Sequence, residues 1–240
     1  MPDERLTGQV IAITGAASGV GLAAARSCAT AGARLALLDR DVSALDRATA
    51  QLEGAEVLPV VVDIGRPDSV ADAFAAIKAR FGALHGLFNN AGVAPVNASE
   101  RVEDISDETW TFALIESSGG GSIVNNASTA ALVAEPGLEA YSAAKGGVVA
   151  LTRSLAASAA PRGVRLNAVC PGLLQTPMAS AIGAQLTSRL EADTLLDVPG
   201  PEALAGLIVY LLSDESRYMT GSVLVIDGGL TSSRGRPLPG

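Results

Sequence analysis

An apolar run that ends in a glycine-rich turn constrains this chain more than any other stretch. Val10-Ile11-Ala12-Ile13 has no polar break, the pattern of a parallel strand covered on both faces, and it leads directly into Thr14-Gly15-Ala16-Ala17-Ser18-Gly19-Val20-Gly21. A helix is predicted from Gly19 to about Ala31. Glycines at such a turn let the backbone pass close to a pyrophosphate, while free N–H groups and the positive end of the helix dipole hold the anion. Tight packing alone also accounts for glycines there. Gly15, Ala17, Ser18, Gly19 and Val20 are the candidate phosphate-side residues.

The same alternation continues along the chain. Arg34-Leu35-Ala36-Leu37-Leu38 is a second strand closed by Asp39. A third, Val57 to Val62, ends in Asp63-Ile64, and a fourth, Gly86-Leu87-Phe88, ends in Asn89-Asn90-Ala91-Gly92. Ser122 to Ala127, Val164 to Val169 and Val223 to Ile226 complete the set. Helical spacing is present at 42–52, 68–81, 107–117 and 201–212, and through Val148, Leu151 and Leu155. With 240 residues, 48% of them hydrophobic, one large α/β core fits better than two small ones. We expect a single domain over 1–230 and a flexible tail over 231–240.

Charge and cysteine use narrow the ligand classes. A formal charge of −8 argues against nucleic-acid or anionic-membrane partners, because phosphate surfaces need clustered Lys and Arg. No run of about 18 or more apolar residues predicts a membrane span, and the charged start Met1-Pro2-Asp3-Glu4-Arg5 has no signal-peptide pattern. Cys28 and Cys170 are far apart and lack metal-ligand spacing, so a reducing, cytoplasmic setting without metal is expected. The lone His85 is expected at the surface. Small-molecule ligands remain.

The chemistry-bearing stretch is Tyr141-Ser142-Ala143-Ala144-Lys145. On a helix the phenol and the ammonium lie four residues apart on one face, where the positive charge is expected to lower the tyrosine pKa. Such pairs also decorate solvated helices. Ser128, at the end of the fifth strand and beside the next helix, adds a hydroxyl where open α/β sheets bind ligands. Asp39, about 20 residues past the glycine turn, can accept from both ribose hydroxyls and would repel a 2′-phosphate, which favours NAD over NADP. Arg40 is the counter-argument, and a turn cap is the alternative role for Asp39. Asp63 and Ile64 could flank an adenine, or Asp63 could simply begin the next turn.

Taken in order, the glycine turn, Asn89-Asn90-Ala91-Gly92, Ser128, Tyr141, Lys145 and Pro171-Gly172 resemble the short-chain dehydrogenase/reductase family of the compact single-domain kind, over about Gly8 to Gly229. The resemblance implies a doubly wound, Rossmann-type, seven-stranded parallel sheet in three layers. It implies NAD(P) binding and hydride transfer between nicotinamide and a secondary alcohol or ketone. By the same resemblance Tyr141 is the acid/base, Lys145 lowers its pKa and holds the nicotinamide ribose, and Ser128 orients the substrate oxygen. Asp39, Asp63, Ile64, Asn89 and Ala91 fall where the family contacts adenosine and ribose; Pro171, Gly172, Leu174 and Thr176 fall around the nicotinamide.

One departure stands out. The family carries a long helix between the fourth and fifth strands, with an asparagine whose carbonyl anchors a relay water and an outer face that forms a dimer interface. Here Asp107-Glu108-Thr109-Trp110 runs at once into Thr111-Phe112-Ala113-Leu114-Ile115, and no residue matches that asparagine; Asn97 is too early. Val93 to Gly120 still supplies 28 residues, above the dozen or so a parallel crossover needs. The leading expectation is an NAD-dependent alcohol dehydrogenase or ketone reductase, a homo-oligomer (dimer or tetramer). The alternatives are a catalytically impaired dinucleotide-binding protein and a scaffolding subunit. The 173–200 segment has weak periodicity, so a substrate lid and a pair of surface helices both fit it.

Overall fold

The computed structural model describes residues 3–92 and 108–232. Its elements alternate β1 (Val10–Thr14), α1 (Gly19–Thr30), β2 (Arg34–Asp39), α2 (Val42–Ala50), β3 (Val57–Val61), α3 (Pro67–Phe81), β4 (Gly86–Asn89), α4 (Glu108–Ser117), β5 (Gly121–Asn126), α5 (Glu139–Ala159) and β6 (Val164–Pro171). Two short helices, α6 (Pro177–Ala181) and α7 (Ala184–Asp193), precede α8 (Glu202–Leu212) and β7 (Val223–Ile226). The strands form one parallel sheet in the order β3-β2-β1-β4-β5-β6-β7. Strand order reverses between β1 and β4, which opens a crevice at their carboxyl ends.

Strand periodicity builds the three layers. Along β1, Ile11 and Ile13 face one side and join Leu35, Leu37 and Phe88 beneath Ala24, Ala25 and Cys28 of α1 and Leu204, Ile208 and Leu211 of α8. Val10 and Ala12 face the other side, with Leu87, Ile123 and Leu166, against Phe74 and Ile77 of α3, Leu114 and Ile115 of α4, and Ala156 and Ala159 of α5. Many of the helix residues at these contacts are alanines, so the helices lie close to the sheet, as the low aromatic content suggests. The short α4 still buries Leu114 and Ile115. The expected helix start at Asp107, Asn97 and the tail from 233 onward lie outside the described residues.

Helix ends follow local chemistry. Pro67 opens α3 and Gly82, at φ 74°, closes it with its N–H donating to Lys78 O. Asp41 caps α2 by accepting from Ala44 N. The carbonyl end of α8 is met by a cation: Arg165 Nη2 donates to Leu211 O and Ser213 O, both at 3.1 Å, and Nη1 to Ser216 Oγ at 2.8 Å.

His85 is half-buried rather than freely exposed. Its Nδ1 accepts from Val10 N at 2.9 Å, so a part-buried, neutral imidazole caps the first rung of β1. Sequence spacing could not reveal this partner, which is 75 residues away. Burial, and secondarily Arg34, pushes its pKa below the ordinary value. The unfolded chain therefore takes up this proton at higher pH than the fold does. The stability His85 provides is complete above the unfolded value near 6.5 and is lost as pH falls through the lower folded value. Urea midpoints should drop between pH 7.5 and pH 5.5, and the drop should be smaller in His85→Asn, whose amide can accept without titrating. An equal drop in both proteins contradicts this.

Candidate active site

The crevice brings together the ends of β1, β4, β5 and β6 with the start of α5. At the β1 end, Gly15 and Gly19 adopt φ of 63° and 50°, a region costly to side chains. Gly21, inside α1, touches the turn it follows: a Cβ there would lie 2.1 Å from Gly15 O. No side chain caps the N-terminus of α1, so its first-turn N–H groups lack the partner that most helices supply.

Amide side chains stitch the strand ends together. Thr14 Oγ1 accepts from Asn90 N at 3.0 Å and Ala91 N at 2.9 Å, while Asn90 Nδ2 donates to Thr14 O at 3.0 Å and Gly15 O at 3.2 Å. One layer over, Asn89 Nδ2 donates to Asn125 Oδ1, and Asn125 Nδ2 to Thr152 Oγ1, each at 2.9 Å. Asn126 Nδ2 donates to Asn90 Oδ1 at 3.0 Å. The Asn89-Asn90 doublet was legible as a strand tie. Its partner doublet, Asn125-Asn126, was passed over, although two amide pairs at the ends of successive strands are the signal that finds it.

Ser128 follows β5 and starts a short 3-10 turn, accepting from Ala130 N at 3.2 Å. Its hydroxyl stands near enough to the Tyr141 phenol to lower that group's pKa. Lys145 Nζ donates to Asn126 O at 2.7 Å and lies 5.7 Å from the Tyr141 ring centroid. The three polar residues chosen from sequence therefore meet.

Their electrostatics differ from the expectation in one respect. Burial raises the Tyr141 pKa above its ordinary value, offset in part by the bond with Ser128. Burial also pulls Lys145 down to about 8, opposed by the Cys170 thiol. Desolvation of the phenolate is thus the largest influence on Tyr141 in the free protein, and four-residue spacing says nothing about depth. Cys170, which the sequence reading left aside, is fully buried beside this pair, its thiol pushed up by burial.

The remaining candidates separate into two groups. Asp39 Oδ2 accepts from Ala17 N at 3.0 Å and its Oδ1 from Asp41 N at 3.1 Å, so it braces the glycine turn as well as standing at its rim. Gly172 allows β6 to approach Asp227, where a Cβ would lie 2.8 Å from Asp227 Cα. Pro171 ends β6, and Thr176 caps α6 while its side chain lies 3.8 Å from the place a Gly19 Cβ would take. Four further candidates have other local roles or exposure. Leu174 is buried in the core beside α1 and α8. Asp63 Oδ1 accepts from Gly65 N at 3.0 Å, which is the turn alternative, and Arg40 and Ile64 are exposed. Beyond β6 the chain forms a helix pair, tied by the Arg189–Glu135 ion pair to the loop before α5.

A family model described as short chain dehydrogenase matches residues 9–116, and one described as enoyl-(acyl carrier protein) reductase matches residues 113–231. The chain is 35% identical to 2-(S)-hydroxypropyl-CoM dehydrogenase 3 of Xanthobacter autotrophicus, over 95% of this chain and 98% of that protein. It belongs to the short-chain dehydrogenase/reductase family. A short-chain dehydrogenase/reductase from Mycobacterium marinum superposes with a TM-score of 0.89 at 30% identity, covering 96% of this chain and 98% of that one. L-sorbose reductase from Gluconobacter frateurii, solved with NADPH and L-sorbose, superposes at 0.81 with 29% identity, over 96% and 99%. As a short-chain dehydrogenase/reductase, the chain is an oxidoreductase of a family that binds NAD(P) and acts on small molecules. No helix among the described residues is long and apolar enough to cross a membrane.

Proposed function

We propose that this short-chain dehydrogenase/reductase is an NAD-dependent oxidoreductase interconverting a secondary alcohol and a ketone, with Tyr141 as acid/base. The observation that carries the reading is the convergence of three groups at one sheet edge: Ser128, whose hydroxyl lowers the Tyr141 pKa, the Tyr141 phenol, and the half-buried Lys145, whose Nζ lies 5.7 Å from the Tyr141 ring centroid. The residues present suit a dinucleotide: glycines at positive φ, an uncapped helix N-terminus and a carboxylate one strand away. When bound, its nicotinamide accepts or donates the hydride. Gly15, Ala17, Ser18, Gly19 and Val20 would hold the pyrophosphate, Asp39 the adenosine ribose, and Pro171, Gly172 and Thr176 the nicotinamide end. Asn89, Ala91 and Lys145 would line the path between them.

In the oxidation direction, Ser128 holds the alcohol oxygen, Tyr141 takes its proton, and Lys145 stabilises the phenolate by charge. In the reduction direction the Tyr141 phenol would give its proton to the substrate oxygen. Exposed Leu132, Val133 and Met178 favour an uncharged, largely apolar substrate. The impaired reading, which rests on the shortened connection before β5 and the missing asparagine, is disfavoured by the likeness to dehydrogenases and reductases over nearly the whole chain.

The preference for NAD rests on Asp39. Its two accepted N–H bonds leave lone pairs for ribose hydroxyls, whereas a 2′-phosphate would meet like charge. Titration should give tighter binding of NAD+ than NADP+. Asp39→Ala should narrow that preference by about tenfold or more, since like-charge repulsion of over a kcal/mol is removed. Unchanged preference in the variant would take the selectivity away from Asp39. The reading as a whole is tested by absorbance at 340 nm with a panel of secondary alcohols; dinucleotide binding without any reduction would overturn it.

We also propose that the connection before β5 is shortened relative to relatives. The two family matches meet inside α4, and the alignment with the Xanthobacter enzyme spans 254 positions, more than the chain has residues. A homo-oligomer is part of the proposal: α5 exposes small residues at Ala143, Gly147, Ala150, Ser154 and Ala157, spaced along one face.

A further inference from the structure

Asn126 holds a polar atom that the functional reading does not use. Its Oδ1 is buried and has no hydrogen-bond partner. The amide cannot be turned to remove the problem, because the orientation is fixed through a chain of bonds. Asn90 Nδ2 must face Thr14 O and Gly15 O, so Asn90 Oδ1 is the acceptor, and Asn126 must present Nδ2 to it. Asn126 Oδ1 is then left over. The main-chain carbonyl of the same residue receives Lys145 Nζ at 2.7 Å. One residue thus joins the glycine turn, through Asn90, to the lysine next to Tyr141, and also carries a bare buried acceptor.

Buried amide oxygens are almost always satisfied, and those left open in a folded protein call for a partner. Asn126 lies at the carboxyl end of β5, two residues before Ser128. A strand end could have been closed here by an apolar side chain without an orphaned atom. The donor that completes this residue must come from what fills the crevice.

We infer that Asn126 is a positioning residue for the nicotinamide half of the site, its Oδ1 accepting from an O–H group that arrives with the dinucleotide, either a ribose hydroxyl or a water held beside Lys145. This rests on the proposed dinucleotide function but concerns a residue that function does not require. The bound O–H group tightens the Asn90–Asn126–Lys145 chain, so occupancy at the turn and the placement of the lysine are mechanically linked. An apolar side chain of similar size breaks the link while leaving the carbonyl bond to Lys145 in place.

The test compares Asn126→Leu with the natural protein by calorimetric titration of NAD+ and of ADP, which lacks the nicotinamide riboside, together with kcat. If the donor is the ribose hydroxyl, NAD+ affinity falls by about fivefold or more beyond any loss of ADP affinity, which reads the Asn126–Asn90 bond lost in the same variant. If the donor is the held water, NAD+ affinity falls no further than ADP affinity and kcat falls by a similar factor. Equal losses for NAD+ and ADP with kcat unchanged, or no change in affinity and kcat, overturn the inference. Should Asn126→Leu fold poorly, Asn126→Ala gives the same comparison. A natural protein that binds neither NAD+ nor NADP+ would refute the dinucleotide reading itself, a result distinguishable from any of these.

Discussion

Tyr141→Phe is expected to lower kcat for alcohol oxidation by at least about a hundredfold, the smaller end of what a positioned acid or base supplies. The substitution removes one oxygen and keeps the ring that lies 5.7 Å from Lys145 Nζ. Dinucleotide affinity should therefore hold within about twofold, so the loss belongs to the chemical step and not to binding. Ser128→Ala should act in the same direction with a smaller effect, because Ser128 orients the oxygen and leaves the proton acceptor in place. Steady-state kinetics with a calorimetric Kd for each variant check both statements. A Tyr141→Phe protein that keeps most of its turnover would remove the tyrosine from the mechanism.

Gly21→Ala carries the second large effect. A Cβ at that position would stand 2.1 Å from Gly15 O, far inside contact distance, and the atom it meets is backbone. Either α1 moves away or the turn opens. Overpacking of this kind costs about 1–3 kcal/mol, which in a chain this long lowers Tm by roughly 2–4 °C per kcal/mol. Because the displaced atoms form the proposed phosphate cradle, NAD+ affinity should fall by about tenfold or more as well. Gly206→Ala is the control: it sits exposed in α8 with nothing within 4 Å of its added Cβ. Its helix propensity gain of up to about 1 kcal/mol should leave Tm the same or higher. Scanning calorimetry and dinucleotide titration on the two variants separate crowding from a general intolerance of glycine replacement.

How much was legible in the sequence varied with the range of the interaction. β1, β2, β4 and β5 read clearly because strands buried on both faces are continuous apolar runs, and observed ends moved by only a residue or two. β6 runs on to Pro171, past the expected Val169, because its last residues pair with β7, a contact that local pattern does not carry. Ser128, Tyr141 and Lys145 were chosen from residue type and spacing, and the fold brings them together. The expected lowering of the Tyr141 pKa is not found in the free protein, where burial raises it.

The residues that sequence reading missed share one property. Thr14, Asn126 and His85 act through partners 75, 76 or 36 positions away, on strands that only the sheet order makes neighbours. At Leu174, matched to the nicotinamide site by resemblance, the side chain packs in the core, which leaves the main chain as the part that could meet a cofactor. The 173–200 segment stayed ambiguous because α6 and α7 are short and only partly covered, so little apolar period is imposed on them.

The central claim is direct hydride transfer next to Tyr141, and isotopic labelling measures it most directly. A secondary alcohol carrying deuterium on its carbinol carbon should reduce NAD+ to NADH one mass unit heavier, with the label at C4 of the nicotinamide, and the label should fail to accumulate with Tyr141→Phe. NADH formed without deuterium, or equal label transfer by the tyrosine variant, would contradict the account.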